Sequence, residues 1–330
     1  MYIDSDKVFI YPVANRGDSE QGYLGKLNIE QNIVNQKLNL VDNKSFALSP
    51  KIELNGNKLI INSGVFIIHG YVINILKPIQ VARLKYYYKF RKMPNYEQPT
   101  DINEKINWLK FYGDTSRWAD LADKYKVRDY VESLGLGDIL VRLYGRWDKA
   151  SDIDWEILPP QFVLKVNNGC GDILICRDKD RLNKDTVVET YNKLLSLKYG
   201  GVTGEPHYAK INPCVIAEEL LDINKQSVES SSLIDYKIWC LNGKPYCTWC
   251  AWNRSKHGTD VGIYDLEWNY HPEWSVFTNH YRKGEIIIPK PQNYERMLEI
   301  ASKLSSEFPI LRVDLYEVDG KVYFGEITFT

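Results

Sequence analysis

Near the C-terminus, Arg312, Asp314 and Glu326 lie on either side of the turn signal VDGK in LRVDLYEVDGKVYFGEITF. Two hairpin pairings fit that turn. A two-residue Asp319-Gly320 loop would put Asp314 and Glu326 on opposite faces and mix polar with apolar residues on both. A three-residue loop with Gly320 left-handed in a bulge puts Leu311, Val313, Leu315, Tyr323, Ile327 and Phe329 on one face. It leaves Arg312, Asp314, Phe324, Glu326 and Thr328 on the other. The second pairing gives a clean apolar face and is the expected one. Two carboxylates then meet on adjacent strands, where they repel unless a cation intervenes. That grouping points to a divalent-metal site, with magnesium as the natural ion. The competing expectation is a solvated face with an ion pair between Arg312 and Glu326.

A second group sits in FVLKVNNGCGDI, residues 162 to 173. Strand alternation gives Phe162, Leu164 and Val166 one face and Val163 and Lys165 the other, so the lysine can project into a cleft without breaking a core. Its ammonium is a point charge suited to phosphate. The following NNGCGD can present backbone N–H groups to phosphate oxygens, because glycine permits close approach. Taken alone, the stretch is better explained as a strand ending in a hairpin turn. It is neither a Walker loop nor a dinucleotide fingerprint.

The elements that must position these groups come from a chain of 330 residues, 44% of them apolar, which is enough for two or three domains. Lysine and arginine total 42 against 43 acids, so no global field argues for a nucleic-acid partner. The six cysteines, all in the second half, read as reduced thiols. CTWC at 247–250 lies in an extended stretch that turns Cys247 and Cys250 to opposite faces, which argues against zinc. No run approaches the ~20 apolar residues of a membrane span, and the N-terminus lacks the pattern of a secretory signal, so the expected location is cytoplasmic.

Residues 1–78 show short apolar runs cut by turn signals, with Asn55-Gly56 as a hairpin turn, and read as a small all-β module of unknown role. From Lys77 the chain turns basic and aromatic. Arg83, Lys85, Lys89, Arg91 and Lys92 interleave with three tyrosines, as suits a linker helix or, over 83–92, a peripheral contact with a membrane or polyanion. Helices are expected over DINEKINWLKFYG and, as one continuous element, WADLADKYKVRDYVESLG. In the latter Trp118, Leu121, Tyr125 and Val131 recur at helical spacing and Gly135 serves as the C-cap. Strands and helices then mix to the end, an α+β layout.

In their order, DKYKVRDYV, FVLKVNNGCGDI, VIAEELL, DYKIWCLNGKPY, YDLEWN and FPILRVDLYEVDGKVYFGEITFT resemble the ATP-grasp enzymes. Over about residues 80–330 the chain is similar to their TupA-like branch, associated with teichuronopeptide and capsular polysaccharide synthesis. The resemblance implies an ATP-grasp fold of two α+β lobes around a nucleotide cleft. Residues 79–150 would be a preceding helical part, 151–215 a lobe with a flap loop, and 216–330 a metal-binding lobe. It implies that Lys124 and Lys165 meet the phosphates of ATP and that Asn168, Gly169, Cys170 and Gly171 form the flap. Glu218, with the backbone around Glu219 and Leu220, would read the adenine, and Asp235 would meet the ribose. Lys237 is implied to reach phosphate, and Arg312 to stabilise an acyl-phosphate or tetrahedral species. Asp314 and Glu326 would hold magnesium or manganese. Thr328 stands where many of these enzymes carry an asparagine, which makes it a weaker third ligand candidate. The family pattern continues past GEITFT, so a chain ending at Thr330 would hold an acceptor poorly.

The implied activity is an ATP- and magnesium-dependent carboxylate-amine ligase that works through an acyl phosphate and adds an amino acid to a uronic acid or peptide of a surface glycan. A phosphotransferase acting on a sugar is the alternative enzyme. A structural or surface-binding protein with a degenerate ATP-grasp region is the alternative outside catalysis. The implied partners are ATP, the acceptor and the amino acid, with no nucleic acid.

Overall fold

The computed structural model describes residues 77–169, 173–197, 199–200, 204–275 and 277–329, with five short strand segments before residue 62. Contacts divide the chain into two compact units, residues 1–111 with 200–206, and residues 112–199 with 207–330.

In the first unit β1 (Tyr2–Asp4), β2 (Leu27–Asn28), β3 (Asn39–Leu40), β4 (Ile52–Asn55) and β5 (Lys58–Ile61) are short. β4 and β5 pair antiparallel with Asn55 opposite Lys58, and β1 joins the other edge of β5. The rest of the expected β module lies outside the described residues. Helix α1 (Pro78–Phe90) begins with proline in its first turn, where a missing N–H costs nothing. It buries Val81, Ala82 and Tyr86. Helix α2 (Ile102–Tyr112) follows. The Tyr86 hydroxyl donates to Asp101 at 2.5 Å and to Glu104 at 3.2 Å. Glu104 also accepts the backbone N–H groups of Asn95 and Thr100 at 3.0 and 2.8 Å, and these hold its pKa down at about 2. Part of the basic-aromatic segment therefore belongs to a packed unit. Its Lys92 pairs with Asp101 at 3.3 Å, and Arg83 lies over the Tyr96 ring.

In the second unit, the single helix expected over 118–135 is two helices, α3 (Trp118–Ala122) and α4 (Val127–Ser133). The break comes from Asp123, 2% exposed, whose carboxylate accepts the N–H groups of Tyr125 and Lys126 at 2.8 and 3.2 Å. An aspartate that bonds the backbone just ahead of it offers the chain an alternative to continuing the helix. Trp118, Leu121 and Val131 are buried as the spacing predicts, whereas the break leaves Tyr125 exposed. Gly135 ends α4 with φ +70°.

A four-stranded antiparallel sheet follows, built from β6 (Leu143–Trp147), β7 (Phe162–Val166), β8 (Ile173–Cys176) and β9 (Val215–Glu218), in the order β6-β9-β7-β8. Phe162, Leu164 and Val166 join Val215 and Ala217 in a core that α5 (Lys184–Ser196) closes with Val187 and Tyr191. A six-stranded sheet contains β10 (Asp235–Leu241), β11 (Lys244–Ser255), β12 (Gly258–Tyr264), β13 (Tyr281–Lys283), β14 (Ile310–Val318) and β15 (Lys321–Thr328), in the order β13-β12-β11-β10-β14-β15. Helix α6 (Tyr294–Ser305) covers one face of this sheet. Its Met297, Ile300, Ala301 and Leu304 fall on one helical stripe and are fully buried.

The terminal hairpin departs from its expected pairing. Val318 pairs with Lys321, so the loop is the two-residue Asp319-Gly320, with φ of +56° and +69°. Both values suit a primed turn, which matches the twist of the strands. The bulge lies further along. Leu315 pairs with Phe324 and Asp314 with Glu326, leaving Gly325 as the extra residue. Residues beyond Gly325 keep the expected faces, while Tyr323 and Phe324 exchange theirs. Phe324 is buried opposite Leu315, and Tyr323 packs beside Tyr316 against a cluster of Val141, Leu221 and Val318.

Candidate functional site

The face of the six-stranded sheet opposite α6 carries the charged residues. Asp314 pairs across to Lys237 on β10 and to Glu326 on β15, and Arg312 pairs with Trp239 and Thr328. These side chains must share a face, because cross-strand partners point the same way. Arg312 grips Asp314 with a fork, Nε to Oδ1 at 2.7 Å and Nη2 to Oδ2 at 2.9 Å. Its Nη2 also reaches the Thr328 hydroxyl at 2.9 Å and Glu326 at 3.4 Å. Thr328 in turn donates to Glu326 at 3.3 Å. The Lys237 ammonium bonds Asp314 and lies 3.4 Å from Asp235, which Arg254 also pairs.

Asp314 is 1% exposed. Burial pushes its pKa up, but Arg312 and Lys237 outweigh burial and hold it at about 2. Burial works against the Arg312 charge as well, and Asp314 and Glu326 more than offset this, so its pKa stands above the ordinary arginine value.

Lys165 belongs to the four-stranded sheet. It pairs with Ile216 on β9, and Glu218 pairs with Val163, so Lys165 and Glu218 are diagonal neighbours on one face. Their charged groups meet at 2.5 Å. Arg128, from α4, approaches the other Glu218 oxygen at 3.5 Å while donating to the Val141 carbonyl at 2.8 Å. Glu219 is exposed and its N–H is donated to the Arg142 carbonyl at 2.9 Å. Leu220 is half-buried beside it.

Lys124 joins the two sheets. The break at Asp123 takes it off a helix surface, and its N–H bonds the Asn167 carbonyl at 3.0 Å. Its ammonium donates to the Gly169 carbonyl at 2.8 Å and lies 3.7 Å from Glu326. Asn167 fixes this junction, since its side chain accepts the Cys214 N–H at 2.8 Å and donates to the Asn212 carbonyl at 3.0 Å. Trp118 stacks on Phe329 at 4.5 Å, tying α3 to the end of β15. Asn168 is buried, and its Oδ1 has no hydrogen-bond partner among the described residues. Cys170 and Gly171 lie outside the described residues.

Tyr316, on the site face of β14, stands within electrostatic reach of Glu326, Asp314 and Glu218. Its burial, then these carboxylates, raise its pKa. The fold thus brings Glu218, Asp314 and Glu326 within electrostatic reach of one tyrosine, with Lys165 paired to Glu218 and Lys124 to Glu326.

Sequence reasoning missed Arg128, Arg254, Asn167 and Tyr316 as members of this cluster. Arg128 stood inside a quoted motif, one helical turn past Lys124, and that spacing was its only signal. Nothing local marks Arg254, because it reaches Asp235 from a neighbouring strand.

A model of the TupA-like ATP-grasp family matches residues 104–330. The chain belongs to that family, and its α+β architecture is ATP-grasp-like. A comparison with curated proteins gives no match. Among solved structures, D-alanine–D-alanine ligase from Bacillus anthracis is similar at 16% identity and a TM-score of 0.39, over 64% of this chain and 57% of that one. The same enzyme complexed with ATP aligns at 16% identity and a TM-score of 0.39, over 64% and 55%. The ATP-grasp ligase PsnB, complexed with a phosphomimetic variant of its minimal precursor, Mg and ADP, aligns at 9% identity and a TM-score of 0.35, over 69% and 56%. This chain spans little more than half the length of each. Among the described residues, no helix is long and apolar enough to cross a membrane.

Proposed function

We propose that this protein binds ATP with magnesium and activates a carboxylate for attack by an amine, as an ATP-grasp ligase. One observation carries the reading. Lys124, Lys165, Lys237, Arg128, Arg254 and Arg312 form ion pairs with only four carboxylates, Asp235, Asp314, Glu218 and Glu326. Such a positive surplus among the described residues is what a polyphosphate would neutralise.

The residues present fit these ligands. Asp314 and Glu326 offer hard oxygen donors of the kind magnesium takes alongside phosphate. The buried Asn168 Oδ1 is an acceptor without a partner among the described residues, next to the Gly169 carbonyl that holds Lys124. In this reading Asp314 and Glu326 hold the metal, Thr328 orients Glu326, and Lys124 and Lys165 meet the phosphates. Glu218 faces the adenine, with Glu219 and Leu220 beside it. Magnesium would supply charge neutralisation at the transferred phosphoryl group. Arg312, fixed by its fork on Asp314, directs positive charge at the oxygen that becomes anionic when the amine attacks. Positioning and electrostatics carry the reaction, and no protein nucleophile is required.

The family resemblance supports a uronic acid or peptide of a surface glycan as the carboxylate and an amino acid as the amine. The test is product analysis with Mg-ATP, an amino acid and a uronic acid. Release of ADP and phosphate that depends on both acceptors, with an amide in the product, is expected. A phosphoester formed from the sugar alone would overturn the ligase reading in favour of a phosphotransferase.

A further inference from the structure

The contacts of Asp314 raise a difficulty for any metal it is to hold. Both of its oxygens are occupied, one by Arg312 Nε and the other by Arg312 Nη2 and the Lys237 ammonium. Oδ1 keeps a lone pair, but a divalent metal at Oδ2 would repel the cations already there, so one of them has to give way. Arg312 is held by its two-point fork, by Thr328 and by the Trp239 ring, whose centroid lies 5.9 Å away. Lys237 is a compact charge on a flexible stem, and it is the partner that can move.

Its destination is on the same strand. Asp235 lies two residues back, on the same face, and is 2% exposed. Its Oδ2 is shared by Lys237 and Arg254, while its Oδ1 is buried with no hydrogen-bond partner among the described residues. An unmet buried carboxylate oxygen is costly and calls for an explanation.

We propose that Lys237 is a resident counter-cation standing in for the divalent metal on Asp314, and that Asp235 is the positioning residue that receives its ammonium when the metal binds. This rests on the magnesium reading above and gives Asp235 a role other than meeting the ribose. Uptake of the metal is then an exchange of one cation for another at Asp314. The site stays charge-compensated when empty, and Lys237 competes with the metal until Asp235 accepts it.

Two neighbours on one strand should therefore shift metal affinity in opposite directions, which a merely structural role for either would not do. The experiment is calorimetric titration of the full chain with Mn2+ in the presence of ATP. Lys237→Met, with Lys237→Gln as a second variant, should bind Mn2+ at least about tenfold more tightly than wild type, and Asp235→Asn about tenfold more weakly, a factor equivalent to ~1.4 kcal/mol each. Equal or weaker Mn2+ binding by the lysine variants overturns the proposal, as does unchanged binding by Asp235→Asn. If neither lysine variant folds, the Asp235→Asn result decides. Absence of Mn2+ and ATP binding in wild type would instead overturn the nucleotide reading. Normal wild-type binding without the opposed shifts overturns only the exchange.

Discussion

Asp314 and Glu326 stand directly opposite each other because Gly325 is bulged out of β15 between them and the turn. A Cβ on Gly325 would lie 2.8 Å from the Asp314 carbonyl oxygen and 3.1 Å from the Tyr316 ring. The two candidate metal ligands therefore depend on a residue that carries no functional group.

Gly325→Ala should destabilise the protein by about 1–3 kcal/mol, as overpacking against backbone does. It should also weaken Mg-ATP binding more than its stability cost explains, since the strain falls on the register that aligns both acids. Denaturant unfolding and nucleotide titration of the same preparation check this. Stability loss with wild-type affinity would detach the bulge from the site.

Lys165→Ala should remove most of the thermal stabilisation that Mg-ATP gives wild type, which is about 2.7 kcal/mol at one hundred times Kd. Among the described residues Glu218 would keep Arg128, at 3.5 Å, as its remaining cation. An equal thermal shift in the variant would remove Lys165 from the nucleotide site.

Asp314 links the site to acid stability. Its folded pKa of about 2 lies below the ordinary 3.8, so it contributes stability that is fully present above pH 3.8 and is lost as pH falls through 2. Asp314→Asn leaves Arg312 and Lys237 without their shared anion and should cost about 3–5 kcal/mol at neutral pH. Its stability should change less than that of wild type between pH 4 and 2. Urea unfolding across that window measures the difference.

Lys110, 9% exposed in the first unit, also makes stability depend on pH, but as a buried charge that costs stability rather than a paired one that supplies it. Burial lowers its pKa from 10.5 to about 8, with Glu205 opposing and Lys85 assisting. Between those two values the unfolded chain binds more protons, so this group makes stability rise with pH. Lys110→Met should be about 1–3 kcal/mol more stable than wild type at pH 7, because the cost of a buried charge is gone. The gap should narrow as pH climbs past 8, as guanidinium unfolding at several pH values would reveal.

How much of this was legible depends on the distance over which each signal acts. The alternation in FVLKV placed Lys165 off the core face, since that pattern acts over a few residues. The face shared by Arg312, Asp314, Glu326 and Thr328 was also legible, because only that grouping leaves a clean apolar side. The hairpin pairing itself was misassigned. An extra residue at Gly320 or at Gly325 gives the same faces from Glu326 onward, and differs only in which way Tyr323 and Phe324 point. The helix break at Asp123 was missed because a buried aspartate bonding its own backbone looks, in sequence, like any polar helix position.

Motif order in the sequence was enough for the family, and strand alternation was enough to set Lys165, Asp314 and Glu326 off the core faces, since both signals are local. The charge partners themselves came from the packing of the strands. Lys165 met Glu218 through a diagonal across two strands, Lys124 reached Gly169 and Glu326 from a broken helix, and Lys237 came to rest on Asp314. Charge partners are set by which strands lie side by side and in what register, and in this chain those partners stand as many as 202 residues apart, Lys124 to Glu326.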